Sequence, residues 1–253
     1  MEQEENIFEK IQELLGNFKG SYSVLQEQVD IDVQLEYFES SKKYRKSKSK
    51  KEPHVLIDEL NSVESDLDLK KNILIQLAAL DKVEAYRAIE TYHKNPDPEL
   101  KDWATLAMQE SRVLLESSFL DENQVLISTG LGGKGSKLRY FVVLIAKKGL
   151  NFEDLHRKII SDELKFIFQK YNSDLEEVQY SERFAAVKAL IPLNKSLNSI
   201  FNEVVEECNQ LGDFLHTNVI VTNVKELSFD EIEDYLVREE ESYQAGDKAD
   251  NSL

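Results

Sequence analysis

The run "FVVLIA", Phe141 to Ala146, constrains the fold more than any other part of the chain. Six consecutive apolar residues leave a strand with no polar face, so other layers must cover both of its sides. The neighbouring segments have to supply that cover. Upstream, "NQVLISTG" reads as a second strand. Downstream, Asn151 can cap a helix carrying Leu155, Ile159, Leu164, Ile167 and Phe168. A strand follows in "RFAAVKALIPL", then a helical stripe of Leu197, Ile200, Phe201, Val204 and Cys208, closed by Gly212. The β-branched residues of "TNVIVTNV" predict another strand. Ser228 and Glu231 form a capping box for a last helix with Phe229, Ile232 and Leu236. The order β-β-α-β-α-β over residues 119–241 predicts a mixed sheet with helices packed on it, followed by a disordered tail at 242–253.

The first half has a different character. Residues 1–40 read as a helix over 4–16, with Ile7, Phe8, Ile11, Leu14 and Leu15 on one side, and then a strand in which Val29, Ile31, Val33, Leu35 and Tyr37 alternate with polar residues. Residues 41–54 hold "KKYRKSKSKK" and end near Pro53, which predicts a basic linker or loop. Helical periodicity then runs from 55 to 118, through Leu69, Ile73, Leu77 and Leu80, and again through Val83, Tyr86 and Ile89. "NPDPE" at 95–99 stops one helix and starts the next. The fold class is therefore α+β: a short helical module beside a C-terminal α/β domain.

Within that module, "NPDPELKDWATLAMQESR" resembles the turn and first helix of a HEAT-like helical repeat, with Leu100–Lys101 as its aliphatic-basic pair and Ala104 and Ala107 at the small positions. "LDLKKNILIQLAAL" is a weaker copy, offset by the 31 residues from Leu69 to Leu100, with Ile73 in the place of Ala104. The resemblance covers about 67–117. It implies a protein-binding or scaffolding role and no catalytic residues.

Charge narrows the partners. The chain carries a net charge of −17, which opposes nucleic-acid binding spread over the whole surface. Seven of the ten residues at 42–51 are nevertheless basic: Lys42, Lys43, Arg45, Lys46, Lys48, Lys50 and Lys51, with Tyr44 among them. This tract could meet RNA or another anionic surface. No apolar run approaches the ~20 residues of a spanning helix, so no membrane insertion is expected. Cys208 is the single cysteine, and no adjacent histidine offers it a base. It reads as a small apolar residue in a reducing compartment, which predicts a cytoplasmic protein.

The remaining feature is "TGLGGKGSK". Gly130, Gly132 and Gly135 satisfy the spacing G-x-G-x-x-G, with Gly133 between them. In dinucleotide-binding loops that spacing opens a helix, whose N–H groups hold the pyrophosphate. Here it opens a strand, and Lys137 stands one residue too late for a P-loop. A protein-kinase glycine loop fails too, because "HRK" at 156–158 has lysine at the aspartate position. What remains is a flexible hairpin on which Lys134, Lys137 and Arg139 could grip an acidic partner or a phosphate. His54, His93, His156 and His216 form no metal-binding or catalytic pair, and no cofactor is expected. The sequence reading is a non-enzymatic adaptor that recognises a protein through its helical module and hairpin. The alternatives are a nucleotide- or phosphate-binding protein using 130–137 and an RNA- or ribosome-associated factor using 42–51.

Overall fold

A computed structural model describes residues 21–47 and 51–250. The helix expected over 4–16 lies outside the described residues, as do Lys48 and Lys50. The fold is α+β: an N-terminal helical half and a C-terminal half built round an antiparallel sheet.

A short strand, β1 (Ser21–Val24), comes first, and the segment expected to form a strand next is instead helix α1 (Ile31–Lys46). Asp30 caps α1 by accepting a hydrogen bond from the Asp32 N–H at 2.8 Å, and Lys43, Arg45 and Lys46 in its last turn complement the helix dipole. Burial follows the helical period: Gln34, Tyr37 and Ser41 are buried, whereas Leu35 points to solvent. The alternation of apolar residues at 29–37 was a coincidence of composition that the 3.6-residue period overrides. The predicted boundary at 40/41 consequently falls inside α1, and the first six residues of the expected linker, 41–46, are helix.

Four further helices, α2 (Pro53–Asn61), α3 (Leu67–Ala78), α4 (Val83–Lys94) and α5 (Lys101–Leu120), pack with α1 round one core. Ala104 and Ala107 are fully buried on α5, and Ile73, Leu74 and Leu77 on α3 face the same core. The turn at 95–100 is fixed chemically as well as by its prolines. Asp97 accepts from Lys70 Nζ at 2.7 Å and from Tyr92 Oη at 2.6 Å, tying the turn to α3 and α4. Trp103 donates its indole N–H to the Lys71 carbonyl at 3.1 Å, and the Lys71 ammonium lies 4.5 Å above the ring.

Strand β2 (Gln124–Ile127) pairs in parallel with β1, in the register Tyr22 with Val125. It does not join the main sheet, which consists of the short β3 (Gly133–Lys134), β4 (Lys137–Ala146), β5 (Asp174–Tyr180), β6 (Phe184–Pro192) and β7 (Leu215–Thr222). Helices α6 (Asp154–Lys170) and α7 (Leu197–Gln210) connect β4 to β5 and β6 to β7. The order β7-β4-β6-β5, with every pairing antiparallel, is the split β-α-β-β-α-β arrangement of ferredoxin-like folds. The mixed sheet expected from sequence is corrected in two respects. β2 belongs elsewhere, and β5 was missed because "DLEEVQY" is an edge strand whose acidic residues hide its alternation.

The central strand explains itself. Val142, Leu144 and Ala146 face α6 and α7 together with Ala185, Val187 and Ala189 of β6. Phe141, Val143 and Ile145 face the other way, against Ile232 and Leu236 of α8 (Phe229–Asp250). The last helix runs to Asp250, so residues 242–250 continue it where a disordered tail was expected. Val24 joins the two halves by packing with Leu138 and Leu193.

Candidate functional site

Two places hold the residues singled out by sequence, and the structure treats them differently. The glycine hairpin is a packing seam. A Cβ on Gly130 would lie 1.8 Å from the Val224 carbonyl oxygen, and one on Gly132 would lie 2.4 Å from that of Glu27. One on Gly133 would lie 2.2 Å from the Lys137 oxygen. Backbone therefore presses on backbone at three of the four glycines. Gly132 also sits at φ +66°, where a side chain is disfavoured. Gly135, at φ +61°, has open space around it, and its N–H donates to Gln26 Oε1 at 3.1 Å. Leu131 is fully buried between them.

The cations of the hairpin are also engaged. Lys137 pairs with Asp174 at 2.8 Å. Arg139 binds Glu176 through two N–H groups, at 2.6 and 2.9 Å, and gives a third to the Leu131 carbonyl at 2.7 Å. The guanidinium holds the Glu176 carboxyl below the usual carboxylate range, as expected for a charge-assisted fork. Lys188 bonds Glu226 at 2.8 Å and Glu177 at 3.3 Å beside it. The resulting depression, bordered by Gln28, Arg139, Glu176, Glu177, Lys188 and Glu226, holds more carboxylates than cations. Lys134 remains exposed at the hairpin tip. The expectation of a loop that grips phosphate is corrected: its glycines are spent on close packing and two of its three cations on carboxylates.

The basic tract is ordered at its start. Lys42, Lys43 and Lys46 are exposed on the last turns of α1 and make no ion pair among the described residues. Arg45 belongs to a different arrangement, in which Glu110 of α5 accepts from four donors of α1. These are Tyr37 Oη at 2.6 Å, Ser41 Oγ at 2.7 Å, and Arg45 Nη2 and Nε at 2.6 and 3.2 Å. Burial, reinforced by the Glu110 charge, pushes the Tyr37 hydroxyl well above its ordinary value. Tyr44 packs on the helical core rather than standing free. Lys51 pairs with Glu59 at 2.8 Å. Sequence reasoning missed Glu110, Tyr37 and Ser41. The spacing 37, 41, 45 is a one-face helical stripe and would have shown Tyr37 and Ser41, had 31–46 been read as helix, whereas nothing local points to Glu110.

Other reactive groups have structural duties. Cys208 is buried in the sheet–helix core, and burial pushes its thiol up to about 12. His156 Nδ1 accepts from the Glu153 N–H at 3.2 Å, while its ring lies 4.5 Å from that of Phe214. His93 Nε2 meets Thr105 Oγ1 at 3.0 Å. Among the described residues no group of three or more His, Cys, Asp or Glu side chains is placed to hold a metal ion, and no helix is long and apolar enough to cross a membrane.

No protein-family model matches the chain, and neither does any curated protein. The resemblance of 67–117 to HEAT repeats thus rests on residue pattern alone. Solved structures similar to part of the chain include the following two. One, described as a transposase from Deinococcus radiodurans R1, is 13% identical with a TM-score of 0.37, over 42% of this chain and 93% of that one. The other, a REP-associated tyrosine transposase bound to a REP hairpin, is 6% identical with a TM-score of 0.31, over 40% of this chain and 61% of that one. The expected protein-interaction adaptor, which was to recognise a partner through its helical module and hairpin, is corrected by how both are packed. The hairpin is sealed against residues 24–27 and 224, and α1 occupies the helical module, with Tyr37 edge-on to Trp103 at 5.2 Å.

Proposed function

We propose that the protein binds the sugar–phosphate backbone of DNA through the basic end of α1. The observation that carries the reading is the placement of Lys42, Lys43 and Lys46. All three are exposed, lack carboxylate partners among the described residues, and lie within about 6 Å along the helix axis. Duplex DNA presents one charge per ~1.7 Å of axis, so three ammonium groups at this density can displace condensed counterions together. A net charge of −17 demands such segregation, because the rest of the surface repels the polyanion.

Two neighbouring features favour DNA phosphates over other anions. Tyr44 packs against the helical core, which removes the aromatic platform on which unpaired RNA bases would stack. The buried face of α1, with Gln34, Tyr37 and Ser41, is turned to the protein, so the helix has no free apolar face to lay into a lipid surface. A cytoplasmic setting fits the lone, buried Cys208.

The test is duplex binding against salt, by fluorescence anisotropy, from about 50 to 200 mM. Each phosphate contact adds about 0.9 to the magnitude of the log–log slope. Changing Lys42, Lys43 and Lys46 together to glutamine should reduce it by about 2.7, while Lys134→Gln should leave it unchanged. Duplex binding whose slope ignores the triple substitution, or no binding at low salt, would refute the reading.

A further inference from the structure

The main sheet ends in two unlike edges. β5 carries Asp174, Glu176 and Glu177, and its pairing with β6 shifts register between Leu175 and Glu177. Charges and a bulge are the usual means by which an edge strand is kept from pairing with another chain. β7, at the other edge, reads Leu-His-Thr-Asn-Val-Ile-Val-Thr and contains no Asp, Glu, Lys or Arg. It pairs with β4 on one side only among the described strands. Its first half is irregular: Leu144 faces Val219 while Ala146 faces Leu215, and the Asn218 N–H turns to His216 Nδ1 at 3.0 Å. Val219–Thr222 then follows β4 residue by residue. Side chains of this run are partly buried on both faces, with Val219 and Val221 against the helices α6 and α7 and Ile220 against the α8 side.

We propose that this edge receives a second copy of the chain, β7 against β7 about a two-fold axis. Such an axis makes the added strand antiparallel, as is every other pairing in the sheet. A pairing centred on Val221 sets Val221 opposite its own counterpart and Ile220 opposite Thr222, so that opposed side chains share a face. Charge selects the occupant and the edge. Each copy carries −17, so two copies can meet closely only along a neutral seam. β5 meeting β5 would bring three carboxylates from each side together. β7 meeting β7 brings none.

The ends of the strand agree with this pairing. Leu211, before β7, is 62% exposed, and Val224, after it, is 46% exposed. An antiparallel partner brings the Leu211 end of one copy to the Val224 end of the other. On the α8 face, Glu233 reaches Arg183 beside β6. Tyr235, about 200° further round the helix, is therefore on the β7 flank, and it is 49% exposed. These exposed apolar groups border the edge that lacks charge and extend the contact beyond the four-residue ladder.

Sedimentation of the full chain from about 1 to 100 µM tests the proposal, since dimers form with concentration. A species of twice 29.2 kDa is expected, strengthened by salt because both copies are acidic. Amides of 219–222 should exchange more slowly as the dimer forms. Thr222→Lys should weaken association about tenfold or more by placing a like charge on each side of the seam. Val224→Lys, at an exposed side chain that cannot unsettle the core, should weaken it too, and decides the matter if Thr222→Lys fails to fold. Gln179→Lys on β5 should leave it intact. A monomer at every concentration, a dimer indifferent to both β7 variants, or 219–222 exchange independent of concentration would each overturn the proposal, as would a partner peptide occupying this edge in place of a second copy.

Discussion

Replacing Glu110 by alanine should destabilise the helical half by about 2–4 kcal/mol. Its carboxylate is the acceptor for three α1 side chains, and Tyr37 among them is fully buried. Stripped of that acceptor, the Tyr37 hydroxyl is left unsatisfied away from water, at about 1–3 kcal/mol. Ser41 loses less, since its hydroxyl can turn back to a carbonyl of its own helix. Arg45 loses little: its side chain is 48% exposed and regains water, so the ion pair itself contributes under about 1 kcal/mol. Removing a carboxylate that is only 12% exposed recovers part of its desolvation cost, which keeps the total near the middle of the range. Tyr37→Phe should cost about 1 kcal/mol or less, because donor and demand disappear together while Glu110 keeps two partners. The combined variant should then be less destabilised than the sum by about 1–2 kcal/mol. Trp103 is the single tryptophan and lies edge-on to Tyr37, so its fluorescence in a urea titration reports this half of the molecule directly. In a chain of this length the loss corresponds to a melting point lower by roughly 4–16 °C. A Glu110→Ala protein within about 0.5 kcal/mol of the original, or a Tyr37→Phe protein equally destabilised, would refute this account of the network.

Substitution and pH test other parts of the fold. Gly130→Ala and Gly132→Ala should each cost about 1–3 kcal/mol or more by forcing backbone apart, whereas Gly135→Ala, strained in φ but unobstructed, should cost about 1. Equal costs at all three, measured by denaturant midpoints, would show that the hairpin is not a packing seam. On the alkaline side, burial pushes Tyr140, Tyr180 and Cys208 each up to about 12, and Tyr37 well above its ordinary value. The native state keeps these protons after the unfolded chain has released them, so stability is complete below about pH 9 and falls as pH rises towards 12. Urea midpoints that stay level between pH 8 and 11 would contradict that burial.

Much of the C-terminal half was legible because its signals are local. Phe141–Ala146 had to be central, the stripe of Leu197, Ile200, Phe201, Val204 and Cys208 had to be a buried helix face, and Ser228 had to cap a helix, with Glu231 Oε2 returning to its N–H at 2.8 Å. β5 was illegible because an edge strand of acidic residues carries no apolar alternation to read. Residues 29–37 misled because one set of side chains fits period 2 in sequence and a helix in space; packing of Tyr37 and Gln34 against other elements decided between them.

The sequence by itself determined the α+β class, the burial of the central strand and where basic residues concentrate, since hydrophobicity, capping and charge are properties of neighbours along the chain. Only the tertiary structure decided what the glycines and cations are for. Glu27, Val224 and Glu176 are far from 130–139 in sequence and reach it only through the fold, turning a phosphate-like spacing into a backbone seam with paired charges. Likewise Glu110, 65 residues from Arg45, takes that cation out of the basic tract and leaves Lys42, Lys43 and Lys46 facing solvent. Charge in a sequence is a count; whether it is available depends on which opposite charges folding brings within reach.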